Sequence, residues 1–142
     1  MPEQEFIAFS LPYGLQIINT RFGEIHPITQ IEFHSNIVSN NDKMWCHFNQ
    51  AQPIVRNISD LTKPIEHNGE KLVPIVELAK MRSSIVENVI PMAFEAIKRD
   101  IKSKRLPFDM VLKLIEWHFD IANLIESGEA IDINTLETNP YK

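Results

Sequence analysis

The sequence predicts an α+β fold: a β-rich N-terminal half with hairpins, followed by two main C-terminal helices packed on it. Three observations carry this. Short runs rich in Ile and Phe, punctuated by Pro12, Gly23 and Pro27, fill the first third. An Asn68-Gly69 pair sits between extended flanks, the strongest local signal for a tight hairpin. From Ser83 onward, apolar residues recur three and four positions apart, the spacing of one helix face.

Taken in order, Glu5 to Ser10, Gly14 to Ile18 and Thr29 to His34 read as strands. In Ile31-Glu32-Phe33-His34 apolar and polar residues alternate, as on a sheet with one wet face. Lys43 to Asn49 reads as a strand covered on both faces, since Met44, Trp45, Cys46 and Phe48 place apolar groups on both sides. Asn40-Asn41-Asp42 offers turn chemistry between these last two runs and predicts a hairpin joining them. Ser59 to Thr62 reads as a short helical turn. Glu66 to Leu72 reads as the Asn-Gly hairpin, and Pro74 as the first position of a short helix through Met81.

Ser83 or Ser84 then caps a longer helix, with Glu87 completing a capping box after Ser84. Its apolar face is Val86, Val89, Ile90, Ala93, Ile97 and Ile101. Pro91 must kink or split it, because a straight helix would carry a penalty of ~3 kcal/mol there. The last helix is expected from Pro107 to Ser127, with Gly128 ending it. Its polar positions, Asp109, Lys113, Glu116, Asp120 and Asn123, make one narrow stripe and nearly everything else is apolar. Such a helix must be covered on most sides, by its own domain or by a partner. Ala130 to Ile133 alternates like a short strand, and the tail from Asn139 to Lys142 reads as loose.

At 142 residues the chain predicts a single domain. Its parts are a β-rich region (1–57), a hairpin with a short helix (58–82), a helical region (83–136) and a tail (137–142). Apolar residues at 44% and charged residues at 23% are ordinary for a globular protein and argue against disorder. The acidic start is no secretory signal, and the longest apolar run, Val89 to Phe94, is far shorter than the ~20 residues needed to cross a bilayer. A soluble protein of the cytoplasm is the expectation (the host cytoplasm, were it phage-encoded), with no membrane partner. Cys46 is the sole cysteine, so no intramolecular disulfide forms. The net charge of −5 disfavours general nucleic-acid binding, which needs many Lys and Arg contacts to phosphate.

Four constellations could carry chemistry. His26, His34, Cys46 and His47 fall in the β-rich third and are candidate metal ligands. Their spacing matches no ligand pattern, however, and adjacent strand residues Cys46 and His47 point to opposite faces. Cys46 as a nucleophile would need a base and a lowered pKa, whereas Trp45 and Phe48 beside it suit a buried structural thiol. Glu116 and Asp120 lie four apart on the polar stripe and are candidate acid–base or cation-binding residues. On a helix, His118 between them would point away from both and read as a satisfied core histidine. Lys98, Arg99, Lys102, Lys104 and Arg105 form a basic patch that either complements a helix C-terminus or grips an acidic partner. No nucleotide, hydrolase or zinc-protease motif occurs, and no cofactor is expected.

Two stretches carry a resemblance. One runs from Ser59-Asp60-Leu61-Thr62 through Ile65-Glu66-His67-Asn68-Gly69 to Pro74. The other comprises Trp117-His118-Phe119-Asp120, Leu124-Ile125-Glu126 and Ala130 to Leu136. Together they resemble small uncharacterised proteins encoded by bacteriophages and prophages. In that group the residue before the Ile-Glu pair is commonly charged, whereas here it is Pro64. The resemblance implies a phage or mobile-element origin and no mechanism.

The expectation is therefore a non-enzymatic interaction or accessory protein, acting through a protein partner or as a homo-oligomer. Two alternatives stand beside it: a small metal-dependent or nucleic-acid-processing enzyme, and a nucleic-acid accessory factor using the basic patch, although nucleic acid is the less favoured partner.

Overall fold

The computed structural model describes residues 3–40, 44–81 and 90–142. The chain opens with helix α1 (Glu3–Ser10), and a 3₁₀ turn (Leu11–Tyr13) leads into strands β1 (Gln16–Asn19) and β2 (Glu24–Pro27). Strands β3 (Gln30–Glu32), β4 (Ile37–Asn40) and β5 (Met44–His47) follow, then β6 (Ala51–Val55). A further 3₁₀ turn (Ile58–Thr62) precedes the β7 (Ile65–His67) and β8 (Glu70–Leu72) hairpin. Helices α2 (Pro74–Met81), α3 (Ile90–Lys102), α4 (Phe108–Glu116) and α5 (Leu124–Ser127) and the short strand β9 (Ile131–Asp132) complete the order. The α+β architecture expected from the sequence is the one observed.

The main sheet has the order β2-β1-β6-β9. Its first three strands are antiparallel, and β9 joins β6 in parallel through Ile54 opposite Ile131. A second, antiparallel sheet runs β3-β4-β5. In the third, the β7–β8 hairpin, Asn68 and Gly69 both have positive φ (50° and 82°), the type I′ geometry that an Asn-Gly pair favours.

Two larger buried clusters hold most of the apolar core. On the sheet side, Phe6, Ile7, Leu15, Ile17, Val38, Cys46, Phe48 and Val55 pack with Leu124 and Ala130. On the helical side, Leu61, Ile75, Leu78, Ile97, Leu114, Trp117 and Phe119 pack together. Ile121 packs against both.

Several local expectations are corrected. Glu5 to Ser10 is helical, not a strand. Phe6, Ile7 and Ser10 form its buried face, one helical turn apart, and the Ser10 hydroxyl donates to the Phe6 carbonyl at 2.8 Å. Strand β4 intervenes between the two runs expected to pair. Asn40 is therefore the last residue of β4, paired with Met44 of β5, and residues 41–43 are outside the described residues. The expected caps Ser83 and Ser84, with Glu87, also lie outside them, and Pro91 is the second residue of the described part of α3.

The largest correction concerns the helix expected from Pro107 to Ser127. It is broken at Trp117. The His118 amide donates to the Ile115 carbonyl and the Phe119 amide to the Leu114 carbonyl, both at 2.9 Å, which is a Schellman ending. His118 occupies the left-handed position (φ 60°) that glycine usually fills. The chain then pairs with the end of β6: the Arg56 amide donates to His118 and the Asp120 amide to Arg56. The break answers the problem posed by an all-round apolar helix, because Trp117 and Phe119 enter the helical-side cluster while Leu124 enters the sheet-side one.

The tail is not loose either. Tyr141 is buried, its hydroxyl donates to the Ile54 carbonyl at 2.7 Å, and it accepts from the Gln16 amide at 2.9 Å.

Candidate functional site

The four metal-ligand candidates do not converge. His26 lies on edge strand β2 and bonds Glu24 at 2.9 Å. His34 and His47 are exposed, and Cys46 is buried in the sheet-side cluster. Burial pushes the Cys46 thiol pKa up, the direction opposite to an activated nucleophile. Among the described residues no three His, Cys, Asp or Glu side chains are grouped to hold a metal ion.

Glu116 and Asp120 are separated by the helix break and share no face. Glu116 ends α4 and pairs with Lys113 at 2.9 Å. Asp120 is buried, and its carboxylate accepts from the Leu124 and Ile125 amides at 2.7 and 2.9 Å. Asn123 holds the N-cap position of α5 without a side-chain cap bond, and Asp120, three residues earlier, takes over that role by satisfying the first two amides of the helix. Burial raises its pKa and the two amide bonds oppose that rise.

The basic patch is divided. Helix α3 ends in a second Schellman turn: Lys104 (φ 60°) donates to Ile101, and Arg105 to Asp100. That turn carries the last two cations off the helix. Arg99 pairs with Asp100 at 3.3 Å. Lys98, Lys102 and Lys104 line a groove of about 680 Å³, within the range of ordinary ligand sites. Its floor is apolar, built from Ile58, Ile101, Leu106, Val111, Ile121 and Ala122. Glu5 and Glu126 also line it, so the groove carries charge of both signs. Lys98 is only loosely held, 3.9 Å from Glu95 and 5.1 Å from the centre of the Phe94 ring.

A second feature lies beneath the C-terminal tail. The His118 ring is fully buried and stacks on Tyr141 with centroids 4.0 Å apart and planes 21° apart. His67 lies 5.4 Å from His118, and the Arg56 guanidinium is 5.9 Å from the Tyr141 ring centre. Arg56 donates to the Trp117 and Glu66 carbonyls at 3.0 and 3.1 Å. Neither ring nitrogen of His118, nor Nδ1 of His67, closes a hydrogen bond of good geometry, although the Tyr13 backbone comes near enough to His118 to favour its charged form. So His118 is a core histidine as expected, but not a satisfied one. Burial pushes its pKa down to about 3, and the charges of His67 and Arg56 act in the same direction; the Tyr13 backbone opposes them. His67 is lowered as well, first by burial and then by Arg56.

The groove floor and the Arg56–His67–His118–Tyr141 cluster were not singled out as sites in the sequence. Their members come from segments far apart in the chain, so no local spacing could mark them. Compared with family models, with curated proteins and with solved structures, the chain finds no match.

Proposed function

We propose that the protein is a non-enzymatic interaction or accessory protein, and that the groove beside α3 is its binding face. The supporting observation is the groove itself. It offers a broad apolar floor between charged walls, while the carboxylates once grouped as an acid–base pair are taken up in a cap and an ion pair. The fitting partner is a polypeptide segment with an apolar anchor. Acidic residues on it would face Lys98, Lys102 and Lys104, and a basic residue would face Glu5 and Glu126. Much of the apolar surplus of the expected last helix is buried in the two clusters, with Phe108 left exposed, so the helix as a whole is not a free self-association face.

A nucleic-acid reading fits this face less well. A phosphate drawn to the three lysines would also meet Asp100, Glu5 and Glu126, and each like-charge approach opposes binding.

Selection from a random displayed-peptide library, followed by titration of the selected peptides, tests the proposal. Selected peptides should combine an apolar anchor with charges of both signs. Reversing Lys98, Lys102 and Lys104 to Glu should weaken them at least about tenfold, and raised salt should weaken them too. Peptides bound equally well by the reversed protein, or no selected peptide at all, would overturn it. Melting shifts with Mg²⁺, Zn²⁺ or nucleotides at saturation would favour the enzyme reading instead.

A further inference from the structure

Residues 137–142 cross the buried histidine pair and are held by contacts to three other parts of the fold. The Tyr141 hydroxyl engages β1 through the Gln16 amide and β6 through the Ile54 carbonyl. The Gln16 side chain donates to the Pro140 carbonyl at 3.3 Å. At the β7–β8 turn the Asn68 amide donates to the Tyr141 carbonyl at 2.7 Å, and the Asn139 side chain donates to the Glu66 carbonyl at 2.7 Å. The underside of this strap is the stacked face of His118.

We propose that this segment is a proton-released latch, held shut while His118 and His67 are neutral and freed when their rings are charged. The geometry behind it is a fully buried imidazole that closes no hydrogen bond at either nitrogen and is stacked beneath residues 137–142. The Asn68 side-chain amide lies 3.3 Å from Nε2 of His67, so the neutral ring keeps its proton on Nδ1, which has no partner. A proton added to either ring would bring a buried charge close to Arg56, and at His118 only the Tyr13 backbone stands near to receive a further N–H.

The surrounding charges give no relief to His118, which meets Arg56, just beyond β6, and the His67 ring; only the Tyr13 backbone favours its charged form. His67 faces Arg56, with Lys113 and Glu116 from α4. Glu116 favours its charged form, but Glu116 is already paired with Lys113. At the junction of hairpin and tail, Lys142 stands 4.0 Å from Glu66. Lifting the strap admits water to both rings, at the loss of the hydrogen bonds that hold residues 139–141.

The sign follows from the burial. With the latch shut the His118 pKa is pushed down to about 3, and with it open the ring returns toward about 6.5. The latch is therefore fully favoured above about pH 6.5 and weakens as pH falls below that, about tenfold per unit for each proton taken up. Opening removes a wall from two clefts. One, of about 470 Å³, includes Pro140, Tyr141 and Lys142 in its lining with Gln16, His67 and Glu116. The other, of about 320 Å³, includes Glu137, Thr138 and Asn139 with Arg56.

Hydrogen–deuterium exchange with mass spectrometry on the full chain, corrected for intrinsic rates, tests this between pH 7.5 and 5. Protection of the C-terminal peptide should fall at least about tenfold per unit below pH 6.5, while peptides covering β1 and β6 keep theirs. In a His67→Phe/His118→Phe variant that dependence should vanish. Phenylalanine at a left-handed position is strained, so a second measurement stands apart from that variant's folding. In the full-length Tyr141→Ala chain, with protection of β1 and β6 confirmed at pH 7.5, the His118 ring proton resonances should titrate at a higher pH than in the unaltered chain. A pH-independent tail, strand protection lost in step with the tail, or a His118 titration unmoved by Tyr141→Ala would each overturn the latch.

Discussion

Asp120 and His118 stand two residues apart and illustrate opposite fates of a buried ionisable side chain. The Asp120 carboxylate meets two backbone amides, so its burial is compensated, whereas His118 has neither nitrogen satisfied. Asp120→Ala should leave the Leu124 and Ile125 amides without their cap and cost about 1–3 kcal/mol by denaturant titration. Asp120→Asn keeps one accepting oxygen and should cost less; equal losses for the two would show that the cap is not what Asp120 supplies. Glu3 shows a third case. Partial burial pushes its pKa up to about 7, and Glu129 adds to the rise. A raised carboxyl favours the fold fully below its ordinary pKa, and that contribution is lost as pH climbs through about 7. Glu3→Gln should therefore raise Tm at pH 8 and leave it unchanged near pH 4. A Tm difference that does not vary with pH would mean that Glu3 acts through contacts rather than through its charge.

At the level of elements, whatever the chain decides locally was legible. Asn68-Gly69 specifies its turn through two positive φ angles, and Pro74 opens α2 because its missing N–H is not needed there. Elements decided by distant partners were not. Strand β4 has only Ile37 and Val38 as apolar residues, and its existence depends on β3 and β5 on either side. Helix α1 is too short for periodicity to separate Phe6, Ile7 and Ser10 from a strand pattern. The α4–α5 break depends on Arg56 of the distant β6 end, whose backbone pairs with His118 and Asp120. The signal available in the sequence was indirect: a helix apolar nearly all round is hard to cover, and the fold covers it by splitting it between two clusters. The candidate sites followed the same rule. Lys98, Lys102 and Lys104 were legible as a basic patch, but the apolar floor and acidic residues that make it a groove come from other segments.

For the molecule as a whole, the chain ends close over the middle of the main sheet. Strand β9 extends the sheet beside β6, and Tyr141 then ties β6 to β1 through one hydroxyl. Burial holds that hydroxyl well above its ordinary pKa, so it stays a donor to Ile54 throughout the neutral range. Tyr141 also completes a small cluster with Ile54 and Ile133, separate from the two larger ones. The tail thus contributes to the stability of the sheet as well as covering His118, and the two roles can be separated. Tyr141→Phe keeps the ring on His118 and leaves the Ile54 carbonyl and Gln16 amide without their partner. It should cost about 1–3 kcal/mol. Tyr141→Ala removes the ring too and should cost about 3–5 kcal/mol, in the range for deleting a buried aromatic ring. Both should lower the urea midpoint at pH 7.5 with little change in m, since the folded state keeps its sheet and both larger clusters. At pH 5 the latch is already weakened, so the Tyr141→Ala penalty should shrink relative to pH 7.5. A penalty of the same size at both pH values would separate the tail's stability from the histidines beneath it.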